Sequence, residues 1–297
     1  MSRAARVDDD PFVVHRNLLF TVAYELLGSA ADAEDVLQES WLRWASVDQG
    51  GIRDPRAYLV RIVTRQALNY LRTVSRRRED YVGEWLPEPL LTTPDIAEDV
   101  ELAENVSIAM LTVLETLGPA ERAVFVLREV FDLSYDEIAG AVGKTPDAVR
   151  QIAHRAREHV SARRPRAQVV RSEHEEVVAR LVAAMNAGDF QGLMDVLAPD
   201  VVSVADGGGK VRGAARRPII GALRLARYLL GGLAKIDGEF VASAAWINGQ
   251  RGIRLDLDGQ LVGVTCIAVQ NGQVARIYSI ANPDKLSRLD VAAVLSR

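Results

Sequence analysis

Residues 133–157 read LSYDEIAGAVGKTPDAVRQIAHRAR, and the rest of the chain is arranged around them. Ser134 with Glu137 three residues on is a capping box, which starts a helix at Tyr135. Ile138, Ala139 and Val142 give that helix its apolar stripe, and Gly143 supplies a left-handed stop. Thr145 then caps a second helix with Pro146 at its first position, where a missing amide costs nothing. Two short helices joined by a glycine turn read as a helix-turn-helix. On the second helix Val149, Ile152, Ala153 and Ala156 fall inward, while Arg150, Gln151, His154 and Arg155 fall outward by the 3.6-residue period. Such side chains suit base edges and phosphates in a major groove. Taken alone, the stretch also fits a plain helical hairpin with a solvated basic face.

At 297 residues the chain has room for more than one core. Its hydrophobic content of 48% and charged content of 26% are ordinary for a globular protein. A net charge of −4 excludes a protein basic throughout, so nucleic-acid binding has to come from local patches. Arginines crowd 61–78 and 150–171, whereas 79–104 is acidic. Cys266 is the single cysteine, which excludes disulfides within the chain and cysteine-rich zinc sites. No apolar run is long enough to cross a membrane and the N-terminus lacks a signal core, so a cytoplasmic protein without membrane contact is expected.

Upstream, Val13, Leu18, Leu19, Val22, Ala23, Leu26 and Leu27 repeat at helical spacing up to Gly28-Ser29. The next helix carries DAEDVLQESWLRW, with Val36, Leu37, Trp41 and Leu42 expected inward and Asp32, Asp35, Gln38 and Glu39 on an acidic outer stripe. A third helix follows Asp54-Pro55. Leu59, Ile62, Val63, Leu68 and Leu71 form its apolar stripe, and Arg61, Arg65, Asn69 and Arg72 its other face, before an arginine run at 76–78. A helical bundle with solvated charges would explain any one of these stripes. Cations together with Tyr58 and Tyr70 suit single-stranded DNA better, because phosphates and unstacked bases can both be met.

DAEDVLQESWLRW, DPRAYLVRIVTRQALNYLR and LGPAERAVFVLREVFDLSYDEIAGAVGKTPDAVRQIAHRARE together resemble an extracytoplasmic-function sigma factor of the sigma-70 class. The resemblance implies that Asp32, Asp35, Gln38 and Glu39 dock on core RNA polymerase. It implies that Tyr58, Arg61, Arg65, Asn69 and Arg72 serve the −10 element of promoter DNA. Arg150, Gln151, His154, Arg155 and Arg157 correspond to the face that reads the −35 element.

The connector 79–105 holds Pro87, Pro89 and Pro94 among many acids, yet Trp85-Leu86-Pro87-Glu88-Pro89-Leu90 is apolar and stiff. Such a segment docks with little ordering cost; a tryptophan resting on its neighbouring domain is the plainer alternative. YVGEWLPEPL resembles the linker of the sigma factors that carry a SnoaL-like extension. Beyond it, Met110, Leu111, Val113, Leu114 and Leu117 lead to a break at Gly118-Pro119, and a basic hinge, Arg163, Arg164 and Arg166, follows the helix-turn-helix.

After residue 168 the pattern changes to a helix over 173–187, a short second helix, a strand VVSVA, a helix over 218–235 and four consecutive strands. Asn-Gly or Asp-Gly pairs punctuate three of the connections. Helices followed by an antiparallel meander predict an α+β domain, similar to the SnoaL-like, NTF2-type cone, with a terminal helix expected from Pro283 to about Leu295. Asp206-Gly207-Gly208-Gly209-Lys210 and Asn282-Pro283-Asp284-Lys285-Leu286 resemble the two signatures of the same extension, which implies a built-in regulator. If both turns lie on one rim, they form a docking site for the Trp85 segment. Lys210 or Lys285 would then pair with Glu84 or Glu88, and Trp85 would dominate the contact.

The expected fold class is therefore multidomain: two all-α domains, the second with a helix-turn-helix, and an α+β NTF2-like cone. The boundaries are 1–78 for the first helical domain, 79–105 for the linker, 106–166 for the second and 168–297 for the cone. The expected function is a sigma factor with a fused regulatory domain. Its partners would be core RNA polymerase and promoter DNA, with room for a small-molecule ligand in the cone. No catalytic residue, metal site or cofactor is expected, since Asp206, Asp256 and Asp258 lack a histidine beside them in the sequence. The rival readings are a SnoaL-type enzyme tethered to DNA, which has no use for the acidic stripe, and a two-domain repressor binding as a dimer, which would leave the Tyr58–Arg78 face without a role.

Overall fold

The structure, a computed structural model, describes residues 10–79, 81–163 and 170–297, without the side chains of 74–79. The arginine run at 76–78 and the hinge arginines Arg164 and Arg166 therefore lie outside the described side chains. Two compact units emerge, one made of 1–77, 113–163 and 294–297, the other of 78–112 and 164–293.

The helical unit begins with α1 (Pro11–Val14), α2 (Arg16–Leu27), α3 (Ala30–Ala45) and α4 (Pro55–Glu79). Asp10 caps α1 through the Phe12 amide and also accepts the Trp44 indole N–H at 2.9 Å, which ties the chain start to α3. Leu19, Val22, Ala23, Leu26, Val36, Leu59 and Val63 form the core as the period requires. Two inward expectations fail, at Trp41 and Leu42. Trp41 is 36% exposed and Leu42 64%, with Val13 of α1 at 39%, whereas Trp44 is buried. On α3 the inner face runs Ala33, Val36, Leu37, Ser40, Trp44. Trp41 falls at its edge, against Phe12. Leu42 falls one turn beyond Gln38 and Glu39, on the outer stripe.

The cone unit takes in α5 (Val100–Asn105) and the start of α6 (Ile108–Leu114), which passes back into the helical unit. There follow α7 (Pro119–Phe125), continued by one wide turn to Val130, α8 (Tyr135–Val142) and α9 (Pro146–Arg163). The Ser134–Glu137 capping box is formed, Gly143 stops α8 at φ 70°, and Thr145 Oγ1 accepts the Ala148 amide.

The rest of the cone is α10 (Arg171–Ala187), α11 (Phe190–Val196), β1 (Leu197–Asp206), β2 (Ile219–Ile220), α12 (Ala222–Leu233), β3 (Phe240–Ile247), β4 (Gln250–Leu257), β5 (Gln260–Gln270), β6 (Gln273–Ile280) and α13 (Pro283–Leu286). The six strands lie in the order β2-β1-β6-β5-β4-β3. The meander β3–β6 is antiparallel, and its Asn248-Gly249, Asp258-Gly259 and Asn271-Gly272 turns all have positive φ at both residues. β1 pairs parallel with β6. One sheet face packs on α10, α11 and α12 through Val177, Leu181, Leu193, Leu225, Ile253, Ile267 and Ile277, which makes the NTF2-type cone. The expected terminal helix closes after one turn, at Leu286; Ser287–Arg297 form turns and irregular chain.

Candidate functional site

Asp206 ends β1 with a fully buried carboxylate, and three distant segments meet on it. Tyr81 donates its hydroxyl to Oδ1 at 2.5 Å, and the Leu86 amide donates to Oδ2 at 3.0 Å. From the glycine turn the Gly208 amide donates to Oδ1 at 3.0 Å, and Lys285 Nζ reaches Oδ2 at 2.7 Å. Lys285 also donates to the Leu86 carbonyl and lies over the Trp85 ring, 4.1 Å from its centroid. Asn282 donates from Nδ2 to the Tyr81 hydroxyl at 2.8 Å. Burial and the neighbouring Asp206 push the Tyr81 phenol's pKa upward, so it stays a donor.

The glycines serve this approach. A Cβ at Gly209 would come within 2.9 Å of Val82, and one at Gly208 within 2.5 Å of Asn282. Lys210 pairs with Asp284 at 2.5 Å and so joins the two turns, Gly207 and Leu286 lying at their ends. Lys285 and Lys210 meet Asp206, Asp284 and a main-chain carbonyl. Trp85 is half-buried; Leu86 and Leu90, at 1% and 4% exposure, are the apolar anchors, and Pro87, Glu88 and Pro89 are buried between them.

A second clamp holds the linker farther on. The Leu90 amide donates to Asn248 Oδ1 at 2.8 Å, and the Asn248 amide to the Leu90 carbonyl at 2.9 Å. Asn248 Nδ2 also reaches the Val106 carbonyl at 2.7 Å, while Thr92 bonds Trp246 and Gly249. Asn248 and Tyr81 were not singled out in the sequence. The Asn-Gly turn explains Asn248's left-handed backbone but not its buried side chain.

The other candidates lie in the helical unit. Asp35, Gln38 and Glu39 are exposed on α3, and Leu42 extends their row. Asp32 stands apart, half-buried and accepting the Tyr70 hydroxyl, so neither side chain belongs to an open face. On α4 Tyr58 packs against Trp44, with Arg61 4.9 Å over its ring. Asn69 and Arg72 are exposed and bonded to each other. Arg65 donates to the Gly140 carbonyl at 2.7 Å and, at 3.4 Å, to that of Ala141, the last turn of α8, where a cation is favoured.

On α9 Arg150, Gln151, His154, Arg155 and Arg157 are all exposed and Val149, Ile152, Ala153 and Ala156 buried. Arg150 pairs with Asp147, His154 with Glu158 and Arg157 with Glu129. Gln151 and Arg155 have no such partner among the described residues. Deep in the same unit, Glu25 is fully buried with neither carboxylate oxygen hydrogen-bonded; burial pushes its pKa up to about 8, partly offset by Arg122. Among the described residues no cluster of His, Cys, Asp and Glu could hold a metal, and no helix is long and apolar enough to cross a membrane.

Family models for sigma-70 region 2 and sigma-70 region 4 match residues 12–77 and 107–160. The chain is 39% identical to the ECF RNA polymerase sigma factor SigJ of Mycobacterium tuberculosis, over 93% of this chain and 92% of that one. It is 31% identical to the probable ECF RNA polymerase sigma factor SigI of the same species, over 93% of each. The crystal structure of M. tuberculosis SigJ superimposes with a TM-score of 0.73 at 37% identity, covering 93% of this chain and 97% of that one. With its two sigma regions, its cone and full-length relatives of this kind, the chain belongs to the extracytoplasmic-function sigma factors of RNA polymerase.

Proposed function

We propose that the chain binds core RNA polymerase and directs it to promoters, and that its cone regulates this by holding the linker. Asp35, Gln38 and Glu39 meet the polymerase with Leu42 as their apolar neighbour. Tyr58, Arg61, Arg65, Asn69 and Arg72 serve the −10 element, and Arg150, Gln151, His154, Arg155 and Arg157 the −35 element. The Asp206 clamp carries the regulatory part of this reading. Elements roughly 25 base pairs apart lie about 85 Å apart at 3.4 Å per pair. A free, extended segment 81–107 spans roughly 90 Å, but one clamped at Asp206 and Asn248 and coiled at 100–105 spans much less. Promoter engagement thus competes with docking, and Arg65 must also leave the end of α8.

The cone acts here as a binding module and not as an enzyme. Asp206 is saturated by donors, Asp256 is paired with Arg254 and Asp258 caps the Glu239 amide, so each has a structural task. Transcription reconstituted with core polymerase tests the reading. Output should require this chain and should change in Asp206→Asn with promoter choice unaltered; polymerase that initiates equally well without the chain refutes it.

A further inference from the structure

The linker segment 97–110 and the β3–β4 side of the cone enclose a cavity of about 410 Å³, within the range that holds small organic ligands. Val100, Ala103 and Met110 form its linker wall, and Ile267, Ala268 and Val269 its β5 wall. Both walls are fixed. Asn248 holds the Val106 carbonyl, and Gly249 approaches Ala103 so closely that a Cβ would stand 2.8 Å from its Cα.

The charged groups come from the linker, α10 and the β3–β4 turn: Glu104, Arg171, His174, Glu175 and Arg251. Arg171 is paired with Glu175 at 2.9 Å. His174 donates to the Arg251 carbonyl at 2.8 Å, and burial lowers its pKa, so the ring is neutral at pH 7. The guanidiniums of Arg171 and Arg251 both lie over the Trp246 ring, 4.7 and 4.9 Å from its centroid. Among the described residues Arg251 has no carboxylate partner and its guanidinium no hydrogen bond. A cation positioned by an aromatic ring beside an apolar cavity, and left without an anion, is half of a recognition site.

We propose that this cavity binds an apolar monocarboxylate, its carboxylate on Arg251 and its body between the linker and β5 walls. A neutral apolar molecule would fill the space but leave Arg251 as it is. Because one wall is linker and the other is cone, the ligand binds only the docked arrangement and stabilises it by linkage. Binding is read on the free chain, so the test does not depend on the transcriptional role.

Calorimetric titration of the full chain with 2-naphthoate and with 2-naphthamide, its uncharged counterpart, tests the site. The acid should bind at least about tenfold more tightly, since a charge-assisted pair is at stake. Arg251→Ala should erase that preference while leaving the amide's affinity in place. Ala109→Leu, which fills the cavity from the linker side without touching a charge, should weaken both. Bound naphthoate should slow amide exchange at Leu102 and Ala103. Equal affinity for acid and amide, a preference that survives Arg251→Ala, or no binding tighter than about 1 mM would each overturn the assignment.

Discussion

Asp206→Asn isolates the linker clamp at almost constant volume. The carboxylate takes four donors: the Tyr81 hydroxyl, the Leu86 and Gly208 amides and the Lys285 ammonium. An asparagine offers one oxygen, and whichever way it turns its N–H₂ faces a main-chain amide that cannot accept, that of Leu86 or of Gly208. Lys285, with 11% of its side chain exposed, loses its buried anion. Breaking such a pair from one side costs about 3–5 kcal/mol, and each 1.36 kcal/mol is a factor of ten. Local opening of residues 81–90 should therefore rise by about 10²-fold to 5 × 10³-fold. Native-state hydrogen exchange at the Leu86 amide reads this directly, because that N–H is bonded to Asp206 itself and the residue is 1% exposed. The Ile267 amide in β5 is the internal control and should keep its protection if the cone stays folded. An unchanged Leu86 rate beside an unchanged Ile267 rate would mean that the carboxylate does not hold the linker, and the regulatory reading would go with it.

Asp35→Arg, an exposed charge reversal on α3, should abolish co-purification with core polymerase and leave the melting temperature within a degree or two. Arg150→Ala should weaken upstream promoter recognition by about 1–3 kcal/mol at one base position. Its exposed pair with Asp147 adds little, and equal weakening on all DNA would make Arg150 a phosphate contact. Glu25→Gln should stabilise the helical unit in a pH-dependent way. Glu25's pKa is raised from 4.5 to about 8, so the folded state holds its proton more tightly than the unfolded chain. Its contribution is complete below pH 4.5 and is lost as pH rises towards 8. Urea midpoints should thus favour Glu25→Gln far more at pH 8 than at pH 5; a gain independent of pH would show that the carboxyl is ionised in the fold.

Local grammar made much of this fold legible. Ser134, Gly143, Thr145 and Pro146 specify the helix-turn-helix by capping chemistry alone, and the Asn-Gly and Asp-Gly pairs mark the hairpins of the meander. What stayed hidden was non-local. The parallel pairing of β1 with β6 depends on a connection through β2, α12 and the strands β3, β4 and β5, and VVSVA carries no sign of its partner. Trp41 and Leu42 read as core because they are large and apolar, yet Leu42, two residues from Trp44, points to the opposite face, and Trp41, three residues away, reaches only the edge of the buried stripe. In the sequence Asp206 is one acid beside a run of glycines. Its burial under Tyr81, Leu86 and Lys285 is created by segments whose distance in the chain no periodicity spans.

The shared carboxylate also limits how this protein can be taken apart. Residue 81 and residue 285 complete one hydrogen-bond set, so the linker is structurally a strand of the cone that happens to be encoded before α9. A cone grafted onto another sigma factor without residues 81–92 would carry a buried, underfilled Asp206 and an Asn248 facing solvent. A foreign linker laid over this cone would bring no donors to meet them. The unit that can be exchanged between relatives is therefore discontinuous, and chimeras cut at the visible domain boundary at 168 would sever it.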